Sequence, residues 1–115
     1  MQNIKKKHLA CSLEELKKSN CLGLEIELDG TTVECFLVYY ENKVYSYLNR
    51  CPHTGINLEW MPNQFLDTAN EFIQCATHGA LFDIENGLCL RGPCLGDRLK
   101  NIENCLIEDN IYLIL

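Results

Sequence analysis

Apolar and polar residues alternate over much of this chain, and the alternation predicts short antiparallel strands. Leu24 to Leu28 alternates with a period of two and is followed by the hairpin signal Asp29-Gly30. Residues 32–40 are rich in β-branched and aromatic side chains, a turn is predicted at 41–43, and residues 44–48 run back. Further strands are predicted at 72–74, 81–84, 88–90, 102–107 and 111–115, with turns at Asn86-Gly87 and Asp109-Asn110.

One short helical turn is predicted after a first edge strand. In residues 12–18, Ser12 can cap the turn and Glu15 can reach back, as in a capping box. Leu13 and Leu16 then share one face. Many short strands and a single helical turn predict an all-β fold, a small antiparallel β-sandwich or partly open barrel.

Size and composition limit the classes of function. The chain has 115 residues, 47% of them hydrophobic, which predicts one domain over residues 1–115. It has no apolar run long enough to span a bilayer, and its basic start lacks the apolar segment of an export signal, so we expect a cytoplasmic protein. The net charge of −6, without a basic stripe, argues against nucleic-acid binding and allows steering toward a positively charged partner.

Two motifs carry the candidate chemistry: Cys51-Pro52-His53-Thr54-Gly55 and Cys75-Ala76-Thr77-His78-Gly79. Each places a sulfur and an imidazole nitrogen a few residues apart, followed by a glycine that lets the backbone approach closely. Together they predict a four-point metal site formed by Cys51, His53, Cys75 and His78. Such a donor set suits zinc or an iron–sulfur cluster in which histidines replace two cysteines. One cysteine and one histidine on each motif favours the cluster, and zinc stays open.

The two motifs, the following Phe82-Asp83 and the later Gly92-Pro93 resemble the Rieske family over nearly the whole chain. The resemblance implies one [2Fe-2S] cluster per chain, bound by a subdomain of about residues 49–95. It also implies that Cys51 and Cys75 hold the buried iron, that His53 and His78 hold the outer iron, and that Gly92-Pro93 belongs to a third loop covering the cluster.

Four positions depart from the pattern of high-potential Rieske proteins. Ile56 and Thr77 stand where those proteins have a pair of disulfide-forming cysteines, and Ala80 and Phe82 stand where they have serine and tyrosine hydroxyl donors. Fewer donors near sulfur imply a potential at the low end of the family range of about −150 to +300 mV. Thr77 also departs from the tryptophan common in ferredoxins of ring-hydroxylating oxygenases, and the loop before Cys75 is longer than is usual for them, so the pathway stays open.

The resemblance implies a soluble, monomeric one-electron carrier that takes electrons from a reductase and passes them to an oxygenase or another oxidoreductase. Such a carrier has transient protein partners and no substrate turnover of its own, so we expect no enzyme. The alternatives are a small Rieske subunit of a larger reductase such as nitrite reductase, an iron–sulfur sensor or regulatory module, and a structural zinc module.

Six cysteines lie outside the motifs, and we expect most of them to be buried free thiols. Strand parity places Cys35 with Leu37, and Cys105 with Ile107, in the core. Cys89 and Cys94 flank Gly92-Pro93 at a spacing that allows a small disulfide, although free thiols are expected in a reducing compartment. Between the motifs, Trp60 and Met61 are expected to shield the cluster, and the tyrosines at 39, 40, 45 and 47 are expected to pack on the sheet.

Overall fold

Nine antiparallel strands and one helix make up the part of the chain that the structure, a computed structural model, describes: residues 5–50, 52, 58, 64–75 and 79–115. The first six elements are β1 (Lys7–Ser12), α1 (Leu13–Ser19), β2 (Cys21–Leu28), β3 (Thr31–Tyr40), β4 (Lys43–Leu48) and β5 (Phe72–Gln74). The last four are β6 (Leu81–Asp83), β7 (Cys89–Arg91), β8 (Glu103–Ile107) and β9 (Asn110–Ile114).

The strands form three sheets of three strands each. Their orders are β1-β9-β8, β2-β3-β4 and β5-β6-β7, and every pairing is antiparallel. Across residues 5–50, 64–75 and 79–115 these sheets do not close into a barrel. The predicted all-β class with antiparallel strands and one short helix is therefore confirmed.

Three hairpins turn through two residues that both have positive φ. The pairs are Asp29-Gly30 (50° and 79°), Glu41-Asn42 (49° and 66°) and Glu108-Asp109 (49° and 66°). Such turns match the right-handed twist of the flanking strands. The last turn lies one residue before the predicted Asp109-Asn110, because Asn110 already pairs with Ile107 in the ladder.

The helix α1 begins and ends at capping residues. The Ser12 hydroxyl accepts a hydrogen bond from the Glu15 amide at 3.2 Å, as the cap prediction requires. At the other end Asn20 adopts a left-handed conformation, and its amide donates to the Leu16 carbonyl at 2.8 Å. Leu16 is fully buried, so the helix is held by its apolar face as well as by its caps.

Strand β3 separates two apolar cores. Cys35 and Leu37 point into a core shared with α1 and the β1-β9-β8 sheet, whereas Phe36 and Val38 point into a core shared with the β5-β6-β7 sheet. All four side chains are fully buried, since successive residues of a strand face opposite sides. The prediction for Cys35 is thus confirmed.

The core prediction for Cys105 and Ile107 is wrong. Cys105 is only partly buried and Ile107 is 40% exposed. Both lie on β8, which pairs only with β9 within the described residues, so one of its sides borders no further strand. Leu106, on the opposite face, is 52% exposed, so both faces of this edge strand are covered incompletely.

A buried serine connects the β2-β3-β4 sheet to the segment that leads into β8. The Ser46 hydroxyl donates to the Ile102 carbonyl at 2.5 Å and accepts from the Asn104 amide nitrogen at 2.8 Å. The Ile102 amide in turn donates to the Ser46 carbonyl at 2.9 Å.

Among the described residues, no helix has the length and apolar character needed to cross a bilayer.

Candidate metal centre

Cys75, from the second motif, directly follows strand β5, and its side chain is fully buried. Its amide donates to the Ala80 carbonyl at 2.9 Å, and the Gly79 amide donates to the Cys75 carbonyl at 2.8 Å. Gly79 has a φ of 68°, a conformation that favours glycine. The two described ends of this motif are therefore hydrogen-bonded to each other where β5 meets β6.

Of the four predicted ligands, the structure describes Cys75. Cys51, His53 and His78 lie outside the described residues, as do Ile56 and Thr77. The predicted shielding residues at positions 60 and 61 lie outside them too. The ligand set therefore stays a prediction at this point.

Asn49 joins the two sides of the first motif. It follows β4 and is buried, and its amide donates to the Glu34 carbonyl at 2.9 Å. Its side-chain oxygen accepts a hydrogen bond from the Leu58 amide at 2.9 Å. This contact holds the chain before Cys51 against the chain after Gly55. Sequence reasoning missed it, although asparagine after a strand is a frequent acceptor for backbone amides in turns.

Gly92 brings the predicted third loop against the second motif. It follows β7 and has a φ of 111°. A Cβ atom at this position would lie 2.9 Å from the Ala80 Cα and 3.0 Å from the Ala80 Cβ. Only glycine permits this approach without displacing its neighbour.

All three loop segments contribute to one apolar core. Leu58, Cys75, Ala80 and Cys94 are buried in the same cluster, which Phe36 and Phe65 complete by stacking with ring centroids 4.4 Å apart. Other members of this cluster are Cys21, Val38, Tyr47, Ile73, Phe82, Ile84, Cys89 and Leu99. The described flanks of both motifs thus meet in a dry environment.

The tyrosines pack on the sheets, as expected: Tyr47 belongs to this core, Tyr40 and Tyr45 pack against it, and Tyr39 packs against the other core. The Tyr47 hydroxyl donates to the Ile84 carbonyl at 2.5 Å, and burial is the main cause that raises the Tyr47 pKa. The negative charge of Glu41 is the main cause that raises the pKa of Tyr40, and burial followed by the Glu85 charge raises that of Tyr45. The carboxylates of Glu41 and Glu85 therefore make the surface around Tyr40 and Tyr45 acidic.

The described residues fit an iron–sulfur group. Cys75 offers a soft sulfur donor at the end of a short hairpin, inside an apolar core and beside closely packed backbone. Cysteine sulfur is the usual ligand of iron–sulfur clusters. Apolar surroundings limit solvent access to such a group and tune its potential.

The sequence model of the Rieske [2Fe-2S] domain matches residues 6–103. The chain belongs to the Rieske family. A Rieske domain binds one [2Fe-2S] cluster per chain, so the predicted family and cofactor are confirmed, and the zinc alternative is set aside. Family membership supports a role as an electron carrier.

Solved Rieske proteins share the fold. The ferredoxin of carbazole 1,9a-dioxygenase from Nocardioides aromaticivorans IC177 is 21% identical with a TM-score of 0.69, covering 96% of this chain and 97% of its own. A chain from a complex of reduced oxygenase and oxidised ferredoxin in carbazole 1,9a-dioxygenase is 17% identical with a TM-score of 0.71, covering 93% and 91%. The plasma membrane Rieske protein of Synechocystis PCC 6803 is 21% identical with a TM-score of 0.66, covering 92% and 97%. A comparison with curated proteins gave no match.

Proposed function

We propose that this Rieske protein is a one-electron carrier that takes electrons from a reductase and passes them to an oxygenase or another oxidoreductase. The observation that carries the proposal is the match of residues 6–103 to the Rieske [2Fe-2S] domain, a domain that holds a redox cluster. The carrier itself turns over no substrate. We also propose that it is a cytoplasmic monomer and that residues 49–95 form its cluster-binding part.

We propose Cys51, His53, Cys75 and His78 as the ligands, with the two sulfurs on one iron and the two imidazoles on the other. When bound, the cluster supplies a one-electron couple. The chain's own residues arrange and protect the site. Asn49 and Leu58 hold the flanks of the first motif together, and Gly92 closes the third loop on Ala80.

The electron paramagnetic resonance spectrum of the reduced protein tests the ligand set. A Rieske-type signal is expected, and His53→Cys and His78→Cys are each expected to change it. The matched control is His8→Cys, because His8 lies on β1 and outside both motifs. If the His53 and His78 variants kept the wild-type spectrum, the ligand assignment would be wrong.

We propose a potential at the low end of the family range. Ala80 and Phe82 are fully buried in an apolar core and bring no hydroxyl to it. We expect a midpoint potential below zero in a redox titration, and Phe82→Tyr is expected to raise it. Each kcal/mol by which the new hydroxyl favours the reduced form corresponds to about 40 mV for a one-electron couple.

Phe65→Tyr is the control for this potential, since it adds a hydroxyl to the same core at a position that matches no donor of the high-potential proteins. We expect it to leave the potential nearly unchanged. A wild-type midpoint above zero, or equal shifts in the two variants, would contradict the reasoning.

We propose a terminal oxygenase as the transient acceptor. The structural neighbours include a ferredoxin in complex with its oxygenase, which supports this class of partner. The net charge of −6 and the acidic surface around Tyr40 and Tyr45 favour a positively charged docking face on the partner. The rate of electron transfer to such a partner is expected to fall as ionic strength rises, and a salt-independent rate would argue against electrostatic docking.

A further inference from the structure

Two cysteines outside the predicted ligand set have their sulfur atoms in direct contact. Cys89 begins β7 and Cys94 lies in the turn after that strand, and their Sγ atoms are 2.9 Å apart. Both side chains are buried. A disulfide bond requires a sulfur–sulfur distance of about 2.0 Å, so an approach of less than 1 Å would form one.

The backbone holds this pair in place independently of any sulfur–sulfur bond. The Cys89 amide donates to the Asp97 carbonyl at 2.8 Å, and the Asp97 amide donates to the Cys94 carbonyl at 2.8 Å. The Asp97 backbone is therefore hydrogen-bonded to Cys89 through its carbonyl and to Cys94 through its amide. A disulfide can form here without a large rearrangement of the chain.

The turn at residues 92–96, which contains Cys94, gives a small reagent a route to the sulfurs. Gly92, Pro93 and Gly96 are exposed, and Leu95 is 69% exposed although it is apolar. An exposed turn with few buried contacts opens at a lower free energy than the strands around it. Burial raises the pKa values of Cys11 and Cys35 to about 11, which leaves little reactive thiolate on either of these two cysteines at neutral pH.

The position of the pair gives its oxidation a structural consequence. Gly92 lies between the two cysteines and its backbone rests against Ala80, one residue after the second motif. A bond between the sulfurs would close a ring of residues 89–94 around this contact. The ring would restrain the third loop over the segment that contains Cys75.

We propose that Cys89 and Cys94 form a reversible intrachain disulfide that responds to small-molecule disulfides and restrains the third loop. The thiolate of one cysteine attacks oxidised glutathione, forming a mixed disulfide and releasing one glutathione thiolate. The second cysteine, as its thiolate, attacks the protein sulfur of that mixed disulfide and releases the second glutathione thiolate. The pair loses two electrons and two protons, and the glutathione disulfide gains both.

Disulfide mapping of the full, cluster-loaded chain tests the modification. The reduced protein is incubated with oxidised glutathione at neutral pH, denatured with a maleimide present, digested and analysed by mass spectrometry. We expect a peptide pair joined through Cys89 and Cys94, with Cys11, Cys35 and Cys105 alkylated. Alkylation of both residues, a persistent glutathione adduct, or linkage to other cysteines would overturn the proposal.

Two variants sharpen this test. Cys94→Ser is expected to stop the reaction at the mixed disulfide or to prevent it, whereas Cys105→Ser is expected to leave the Cys89–Cys94 bond unchanged, since Cys105 lies on β8. Mapping of the wild-type chain decides the question even if Cys94→Ser does not fold. Dithiothreitol must return Cys89 and Cys94 fully to thiols, because an irreversible product would contradict a reversible disulfide.

Amide hydrogen exchange tests the restraint. The amides of Leu95 and Gly96 donate within the turn, to the Gly92 and Cys89 carbonyls at 3.2 and 3.4 Å. We expect their exchange to slow several-fold in the oxidised protein, while the hairpin at Glu41-Asn42, which joins two strands of the β2-β3-β4 sheet, exchanges as before. Equal exchange in both states would overturn the restraint of the third loop.

Discussion

Replacing Gly92 with alanine should disrupt the contact between the third loop and the second motif. The new Cβ would lie 2.9 Å from the Ala80 Cα and 3.0 Å from the Ala80 Cβ, distances that force one segment to move. The matched control is Gly96→Ala in the same turn, where φ is 93° and a Cβ meets nothing within 4 Å among the described residues. Both variants carry the strain of alanine at positive φ, but only Gly92→Ala carries the clash.

The size of the effect follows from these two terms. Alanine at positive φ costs about 1–2 kcal/mol. Overpacking at a closely packed site adds about 1–3 kcal/mol. The free energy of unfolding should therefore fall by about 2–5 kcal/mol in Gly92→Ala and by about 1–2 kcal/mol in Gly96→Ala. A domain with a total stability of about 5–15 kcal/mol tolerates the second loss easily and the first only partly.

Urea denaturation followed by far-UV circular dichroism measures this difference. With a slope of about 1–3 kcal/mol per molar urea, a gap of 2 kcal/mol separates the two midpoints by roughly 1 M. The cluster-loaded Gly92→Ala protein should also lose its visible absorbance faster than Gly96→Ala. Equal losses of stability would refute the close approach, since strain at positive φ would then explain both. An Ala80→Gly background removes the Cβ contact and should recover part of the loss in Gly92→Ala.

Two further predictions concern the core around the site. Asn49→Ala should cost about 1–3 kcal/mol in urea denaturation because it leaves the Leu58 amide without its acceptor, whereas Asn86→Ala, which removes a similar bond at an exposed turn, should cost less. Equal costs would contradict a buried tether. Burial, with a smaller contribution from the Glu34 charge, raises the pKa of Cys35 from 9.0 to about 11, so the folded state holds a proton that the unfolded state loses. Stability should be intact below pH 9 and decline as pH rises toward 11, and Cys35→Ala should make that decline shallower; an unchanged slope would contradict the assignment.

The strands could be predicted from sequence because their signals are local. The strand predicted at 72–74 has the same bounds as β5, and Asp29-Gly30 forms the predicted hairpin turn. Period-two alternation and turn chemistry involve neighbours along the chain. The failure at Cys105 and Ile107 has the opposite cause. Alternation assigns a face to each residue, but whether another sheet covers that face depends on the tertiary arrangement.

In the candidate site too, local motifs could be predicted from the sequence and long-range contacts could not. The family, its cofactor and the four proposed ligands could be inferred from two short motifs and a Gly-Pro pair. The tether from Asn49 to Leu58 and the approach of Gly92 to Ala80 could not, because each joins residues nine or more positions apart. Side chains that hold a loop in place carry no fixed spacing, and only the packed structure identifies them.

The pairing of β1 with β9 limits the order in which the sheets can fold during translation. Lys6 and Leu115 exchange backbone hydrogen bonds at 2.8 and 3.0 Å, so the β1-β9-β8 sheet joins opposite ends of the chain. During translation, β1 leaves the ribosome first and must wait for β9, whereas β5, β6 and β7 need only about twenty consecutive residues to meet. The sheet beside the second motif can therefore assemble on the nascent chain, and the β1-β9 pairing closes only after β9 has left the ribosome.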